Sequence, residues 1–133
     1  MRIPIIQIGE NLIISIQSDI DDKTALDLQT FLIERIRDTG TTGVLIEVSA
    51  LDMVDSFLAR TLSDIAAMSA TMNAITVIVG IQPAIAITLV ELGLELRGAH
   101  TALNMEDGIE LLNRLKQDRS EMNESNNLKD AET

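Results

Sequence analysis

Short runs of β-branched residues alternate along this 133-residue chain with longer segments whose apolar residues recur every three or four positions. These are the periods of a strand and of a helix, so the alternation predicts strands connected by helices. Such connections favour right-handed crossovers between parallel strands, whereas the first two runs, separated only by Gly9, Glu10 and Asn11, indicate a hairpin. We therefore predict an α/β fold with a mixed β-sheet flanked by helices, in the order β-β-α-β-α-β-α-β-α. The predicted strands cover residues 3–8, 12–16, 44–48, 75–79 and 101–103.

The helices are predicted from apolar spacing and from residues that favour helix ends. The first follows the acidic residues among 19–22, which suit a helix N-terminus, and ends near Gly40. The second begins around Ser56, the third has Pro83 in its first turn and stops at Gly93, and the fourth follows an Asn cap. The predicted inward-facing residues are Ala25, Leu28, Leu32 and Ile36; Leu58, Leu62, Ile65, Ser69 and Met72; and, after the Asn104 cap, Ile109, Leu112 and Leu115.

The composition changes at Asp118. From there to the end the residues are polar or charged, apart from Met122, Leu128 and Ala131. Because such a segment cannot bury enough apolar surface to offset its conformational entropy, it is expected to stay unfolded. We predict one folded domain over residues 1–117 and a disordered acidic tail over residues 118–133.

Residues 65–90 carry no charge and are numerous enough to cross a bilayer. Asn73, Gly80 and Pro83 interrupt this stretch, and its periodicity changes twice, so we interpret it as a helix, a buried strand and another helix. The N-terminal residues lack the pattern of a cleavable signal peptide. Together these features predict a cytoplasmic location.

Charge and composition disfavour several classes of function. Ten Lys and Arg residues stand against 21 Asp and Glu, and the net charge of −11 repels nucleic acids and anionic membranes. The chain has no Cys and a single His, so we expect neither a metal nor a cofactor. Glycine-rich phosphate loops and the Gly-x-Ser-x-Gly motif are also missing from the sequence, which disfavours dinucleotide-binding, P-loop and α/β-hydrolase enzymes.

The most informative position is Ser56, which follows Asp55 where a strand and its loop lead into a helix. In one interpretation Ser56 is an ordinary helix cap, whose hydroxyl accepts a backbone N–H, and the spacing alone favours this. In the other, Ser56 is phosphorylated, which adds roughly −1.5 to −2 charge beside Asp52 and Asp55, at the positive end of the helix. A charge change of that size would suit a binding switch.

Two segments resemble a known family. Residues 54–59, which follow the strand at 44–48, resemble the phosphorylation-loop motif of STAS domains, the sulfate transporter and anti-sigma-factor antagonist family. Residues 80–86 and 89–93 resemble the stressosome branch of that family, in particular antagonists of the RsbS type. The resemblance extends over residues 3–116, and the chain after Lys116 is longer than a short antagonist requires.

The resemblance implies a fold, a function and a set of partners. The fold would be that of a STAS domain, with helices mainly on one side of the sheet. The protein would be a non-enzymatic antagonist that holds an RsbT-type serine/threonine switch kinase within an assembly of sensor-bearing RsbR-type STAS paralogues. Phosphorylation of Ser56 would release the kinase, and a PP2C-type phosphatase would reset the switch. Asp52, Asp55 and Phe57 would belong to the phosphorylation loop and contact the partner.

Two other functions stay open from the sequence. A free anti-anti-sigma factor would bind an anti-sigma kinase directly and would not enter a large assembly. An enzyme or nucleotide-binding domain would place its ligand at the carboxyl ends of the strands, near Asp52, Asp55 and Gly80.

Overall fold

The computed structural model describes residues 3–132, and it describes side chains for residues 3–128. Residues 1 and 2 of the predicted domain and residue 133 of the predicted tail lie outside the described residues. The order of the elements is the predicted one, which is confirmed. The elements are β1 (Ile5–Ile8), β2 (Asn11–Ser15), α1 (Asp22–Thr39), β3 (Gly43–Glu47), α2 (Ser56–Thr71), β4 (Ile75–Val79), α3 (Pro83–Glu91), β5 (His100–Ala102) and α4 (Met105–Glu132).

The five strands form one mixed sheet in the order β1-β2-β3-β4-β5. β1 is antiparallel to β2, as the hairpin predicts, and the other neighbours are parallel. The register places Ile14, Ile46 and Ile78 side by side across the three central strands. Because alternate residues of a strand face opposite sides, these three side chains lie on the same face of the sheet.

Both faces of the sheet are covered, but unequally. Three helices, α1, α2 and α3, contribute to the main core, in which Ile14, Ile46 and Ile78 are fully buried. A smaller core on the other face combines Leu45 and Val77 of the sheet with Leu112 of α4. The expectation of helices mainly on one side of the sheet is therefore confirmed.

The predicted helix ends explain where the elements begin and stop. Asp21 caps α1 by accepting the backbone N–H of Thr24 at 2.8 Å, and Gly40 ends the helix with φ of 66°. Asn104 caps α4 in the same way, accepting the N–H of Asp107 at 2.8 Å, and Pro83 opens α3. Each cap satisfies a backbone donor that the first turn of a helix leaves unpaired.

The inner face of α4 differs from the prediction. Ile109 is 37% exposed, whereas Gly108 and Leu112 are buried against the sheet. A Cβ at position 108 would lie 2.7 Å from Cγ2 of Val79, so the missing side chain allows the helix to approach the sheet closely. The prediction for Ile109 is wrong because apolar spacing gives no weight to a glycine as a contact residue.

The end of α4 extends beyond the predicted domain boundary. Residues 118–132 continue the helix in the structure, where the sequence predicts disorder. The side chains of residues 120–128 are all exposed, so this part of α4 buries no apolar surface against the sheet. Arg119 forms one link, donating from Nη1 to the carbonyl oxygen of Asn73 at 3.2 Å. The domain boundary at residue 117 stays a prediction.

No helix within residues 3–132 is both long enough and apolar enough to span a membrane. The uncharged stretch at 65–90 is divided among α2, β4 and α3, as predicted.

Candidate functional site

The predicted site lies in the loop at 48–55, which joins the end of β3 to the start of α2, and in the first residues of α2. Val48 is buried where the loop leaves β3, and two further apolar residues of the loop are buried: Leu51 is fully buried and Val54 is 6% exposed. Between them Asp52 and Met53 are exposed, Met53 by 64%. The loop therefore has three anchors in the core and a tip that faces the solvent, at the carboxyl edge of the parallel strands.

Hydrogen bonds tie the loop to its neighbours on both sides. The N–H of Asp52 donates to Oδ1 of Asp19, in the segment before α1, at 3.2 Å. The side-chain amide of Gln82, immediately before α3, donates from Nε2 to the carbonyl oxygen of Ser49 at 2.7 Å. This second bond gives Gln82 a structural role that the sequence motif alone does not show, because it joins the loop to the start of α3.

Glu47, at the end of β3, organises the first part of the loop. Its Oε1 accepts the N–H of Ser49 at 2.8 Å, and its Oε2 accepts the hydroxyl of Ser15 at 3.2 Å. Partial burial by itself raises the pKa of Glu47, but the hydrogen bonds from Ser49 and Ser15 outweigh it and hold the pKa below its ordinary value. Gly80 packs against this group with φ of 82°, and a Cβ there would lie 3.0 Å from Cβ of Ser49.

The cap of α2 is Asp55. Its Oδ1 accepts the N–H of Leu58 at 2.8 Å, and its carbonyl oxygen accepts the N–H of Ala59. Ser56 is the first helical residue and is exposed. The interpretation of Ser56 as the cap is therefore wrong, because the carboxylate one position earlier takes that role. The hydroxyl of Ser56 lies on the surface, next to the loop tip.

The predicted site residues occupy one short stretch but differ in exposure. Asp52, Asp55 and Ser56 are exposed, whereas Phe57 is half-buried and packs against the main core. The structure therefore places three of the four at the surface. Their roles in phosphorylation and partner binding stay predictions.

An apolar surface lies beside the loop tip. Met53 lines a 100 Å³ cleft together with Ala84 and Thr88 of α3. On the same helix Ile87 and Val90 are 58% and 79% exposed. Single exposed apolar residues are common, but several of them on one short helix mark a surface suited to a protein partner.

Two arginines near Ser56 were not singled out by the sequence. Arg60 of α2 and Arg97, in the segment between α3 and β5, line a 210 Å³ cleft together with Ser56. The sequence could have predicted that Arg60 lies near Ser56, because residues four positions apart are neighbours on a helix. Nothing in the sequence indicates that Arg97 joins them. Within residues 3–128, no group of three or more His, Cys, Asp or Glu side chains is arranged to hold a metal ion.

Replacing the cap tests the local role of Asp55. We expect Asp55→Ala to lower the free energy of unfolding by about 1 kcal/mol, because the N–H of Leu58 loses its acceptor. Urea denaturation measures the change. Asp52→Ala is the matched control: this exposed carboxylate caps no helix, and its removal is expected to change stability by less than about 0.5 kcal/mol. Equal effects of the two substitutions would contradict the assignment of the cap.

Comparison with known proteins identifies the family. The sequence model of the STAS domain matches residues 2–108, most of the chain. The chain therefore belongs to the STAS domain family, and the resemblance noted from the sequence is confirmed. No match was found among curated proteins.

Solved structures give more detailed similarities. A variant of RsbS from Moorella thermoacetica with glutamate in place of a serine is 34% identical, with a TM-score of 0.77, over 88% of this chain and 99% of that one. A chain from a structure describing the molecular architecture of the stressosome, a signal integration and transduction hub, is also 34% identical, with a TM-score of 0.69, over 85% and 98% of the two chains. The unphosphorylated anti-sigma factor antagonist SpoIIAA shares the fold, with a TM-score of 0.64, at 12% identity over 86% and 97%.

Proposed function

We propose that this protein is a cytoplasmic, non-enzymatic STAS antagonist of a bacterial stressosome, which sequesters a serine/threonine switch kinase and releases it when Ser56 is phosphorylated. The observation that carries the proposal is the 34% identity to RsbS over nearly the whole of both chains. The position of Ser56 supports it, since the hydroxyl is exposed and Asp55 performs the capping.

The surface around Ser56 has the features that a phosphorylation switch requires. In the unmodified protein, Met53 offers an exposed apolar contact at the loop tip, and Ile87 and Val90 are exposed on α3, the helix that shares a cleft with Met53. A phosphate on Ser56 adds roughly −1.5 to −2 charge three residues from Met53. Burying such a charge against a partner costs free energy unless the partner supplies cations, so a kinase bound to the unmodified surface would be released.

The proposed partners are those of a stressosome antagonist. They are an RsbT-type switch kinase, RsbR-type STAS paralogues that carry sensor domains, and a PP2C-type phosphatase that removes the phosphate. The similarity to a chain of the stressosome supports membership of a large assembly.

Intact-mass spectrometry tests the proposed modification. We expect the wild-type protein, mixed with ATP and an RsbT-type kinase, to gain the mass of a single phosphate, and Ser56→Ala to gain none. Ser18→Ala is the control and is expected to gain one phosphate like the wild-type protein, because Ser18 is also exposed and lies in a loop before a helix but is not the proposed site. A phosphate retained by Ser56→Ala, or absent from the wild-type protein, would contradict the proposal.

A further inference from the structure

The 210 Å³ cleft beside Ser56 combines two cations from separate parts of the chain. Its lining includes Arg60 from α2 and Arg97 from the segment between α3 and β5, together with Ser56 itself. In a protein with a net charge of −11, two arginines and one carboxylate, that of Glu95, leave this cleft with an excess of positive charge. Its volume is several times the roughly 30 Å³ that a water molecule occupies, so the cleft has room for a phosphate group.

Helix geometry brings Arg60 to Ser56. The two residues are one turn apart on α2, where side chains four positions apart are neighbours. Long side chains on a helix also lean toward its N-terminus, which is the direction of Ser56 from Arg60. Among the described residues Arg60 forms no ion pair, so its guanidinium is available to an anion.

Arg97 is held near α2 by the fold of its own segment. The hydroxyl of Ser63, in α2, donates to the carbonyl oxygen of Glu95 at 3.1 Å. Leu94 and Leu96 of the same segment pack against the main core. Ala99, on the other side of Arg97, packs against the same core, so the backbone is fixed on both sides of Arg97. The side chain of Arg97 is 84% exposed and, among the described residues, pairs with the exposed Glu95 at 3.1 Å. Exposed pairs of this kind are weak, so Arg97 can exchange Glu95 for a more highly charged partner.

We propose that the cleft is an internal phosphoserine-binding site, in which Arg60 and Arg97 bind a phosphate carried by Ser56 of the same chain. This inference rests on the proposed function for the modification of Ser56 and adds its structural consequence. Arginine forks match phosphate oxygens with two parallel hydrogen bonds, which are stronger than those between neutral groups. The phosphate would link α2 to the segment that carries Arg97, at the expense of the pair between Arg97 and Glu95.

The test uses the full chain with phosphoserine placed at position 56 during synthesis, so no kinase is needed. Phosphorus NMR then follows the second ionisation of the phosphate, whose ordinary pKa is about 6. Two nearby guanidinium groups favour the dianion, and we expect this pKa to lie roughly half a unit to one unit below that of the Arg60→Gln, Arg97→Gln double variant. The charged residues that line the cleft are Arg60, Glu95 and Arg97, and in the chain Asp52 and Asp55 precede Ser56 and Asp64 follows Arg60 by one helical turn.

Two controls separate binding in the cleft from a general effect of charge. Arg114→Gln removes an exposed arginine from α4, on the other side of the sheet, and is expected to leave the phosphate pKa unchanged. Arg60→Lys with Arg97→Lys keeps both charges but loses the paired guanidinium donors, and is expected to retain only part of the shift. The same titration in the wild-type protein and the Gln double variant would overturn the inference. Failure of the switch kinase to modify Ser56 would instead overturn the proposed function and leave this titration unaffected.

Discussion

Phosphate on Ser56 is expected to weaken the complex with the switch kinase by about 10- to 100-fold, which corresponds to roughly 1.4 to 2.8 kcal/mol. The unmodified surface presents a neutral hydroxyl that follows two exposed carboxylates in the chain, Asp52 and Asp55. A doubly charged group at this position has to be desolvated when the kinase docks, and any acidic residue of the kinase nearby is repelled. Isothermal titration calorimetry of the kinase with each form of the protein, at fixed ionic strength, measures the difference.

Three further forms make this measurement specific. Ser56→Ala is expected to bind as tightly as the unmodified wild-type protein, because the hydroxyl is not needed by the α2 cap. Ser56→Asp carries one charge and is expected to fall between the unmodified and phosphorylated forms. Phosphoserine at position 120 adds the same charge to an exposed residue of α4, on the other face of the sheet, and is expected to have little effect. Equal affinity for the unmodified, Ser56→Asp and phosphorylated proteins would contradict the switch.

The sequence predicts the order of elements well because local signals agree with the packing. The β-branched runs that form β3 and β4 are short and end at turn residues, so strand and helix are not confused. Gly40 and Pro83 mark helix ends by backbone geometry that other residues adopt less readily. The fold follows from these signals, since strands connected by helices leave few topologies to choose from.

The sequence-based prediction of buried residues and element limits fails where a contact joins residues distant in the sequence or depends on a glycine having no side chain. Gly108 faces the sheet because it has no side chain, whereas Ile109, the more apolar residue, is partly exposed. The last strand is displaced by one residue: β5 begins at His100, and Leu103 is 82% exposed. A three-residue edge strand has too few residues for its period to define its limits.

At the candidate site, too, features set by neighbouring residues in the sequence could be predicted, whereas contacts between distant residues could not. The sequence indicates that Ser56 lies at the start of a helix, because the neighbouring residues carry that signal. It assigns the cap to the wrong residue, since Asp55 and Ser56 both favour that position and only the backbone conformation decides between them. Arg97 lies about 40 residues further along the chain and reaches the cleft only through the path of the segment before β5.

The two halves of α4 are expected to contribute very differently to stability. Leu112 is fully buried in the smaller core, between α4 and the sheet, whereas Leu128 is 66% exposed on the same helix. We expect Leu112→Ala to lower the free energy of unfolding by roughly 2–5 kcal/mol, because it removes buried apolar contacts and leaves a cavity. Leu128→Ala is the matched control, with an expected change below about 0.5 kcal/mol.

Urea denaturation of both variants, together with a chain that ends at residue 117, tests the predicted domain boundary at the same time. A polar helix that buries little surface against the rest of the domain is marginal in water, so the shortened chain is expected to unfold at nearly the same urea concentration as the full chain. The bond from Arg119 to the carbonyl oxygen of Asn73 is lost in the shortened chain, but an exposed hydrogen bond contributes little to stability. A loss of stability on shortening comparable to that of Leu112→Ala would place residues 118–132 within the folded domain and contradict a boundary at residue 117.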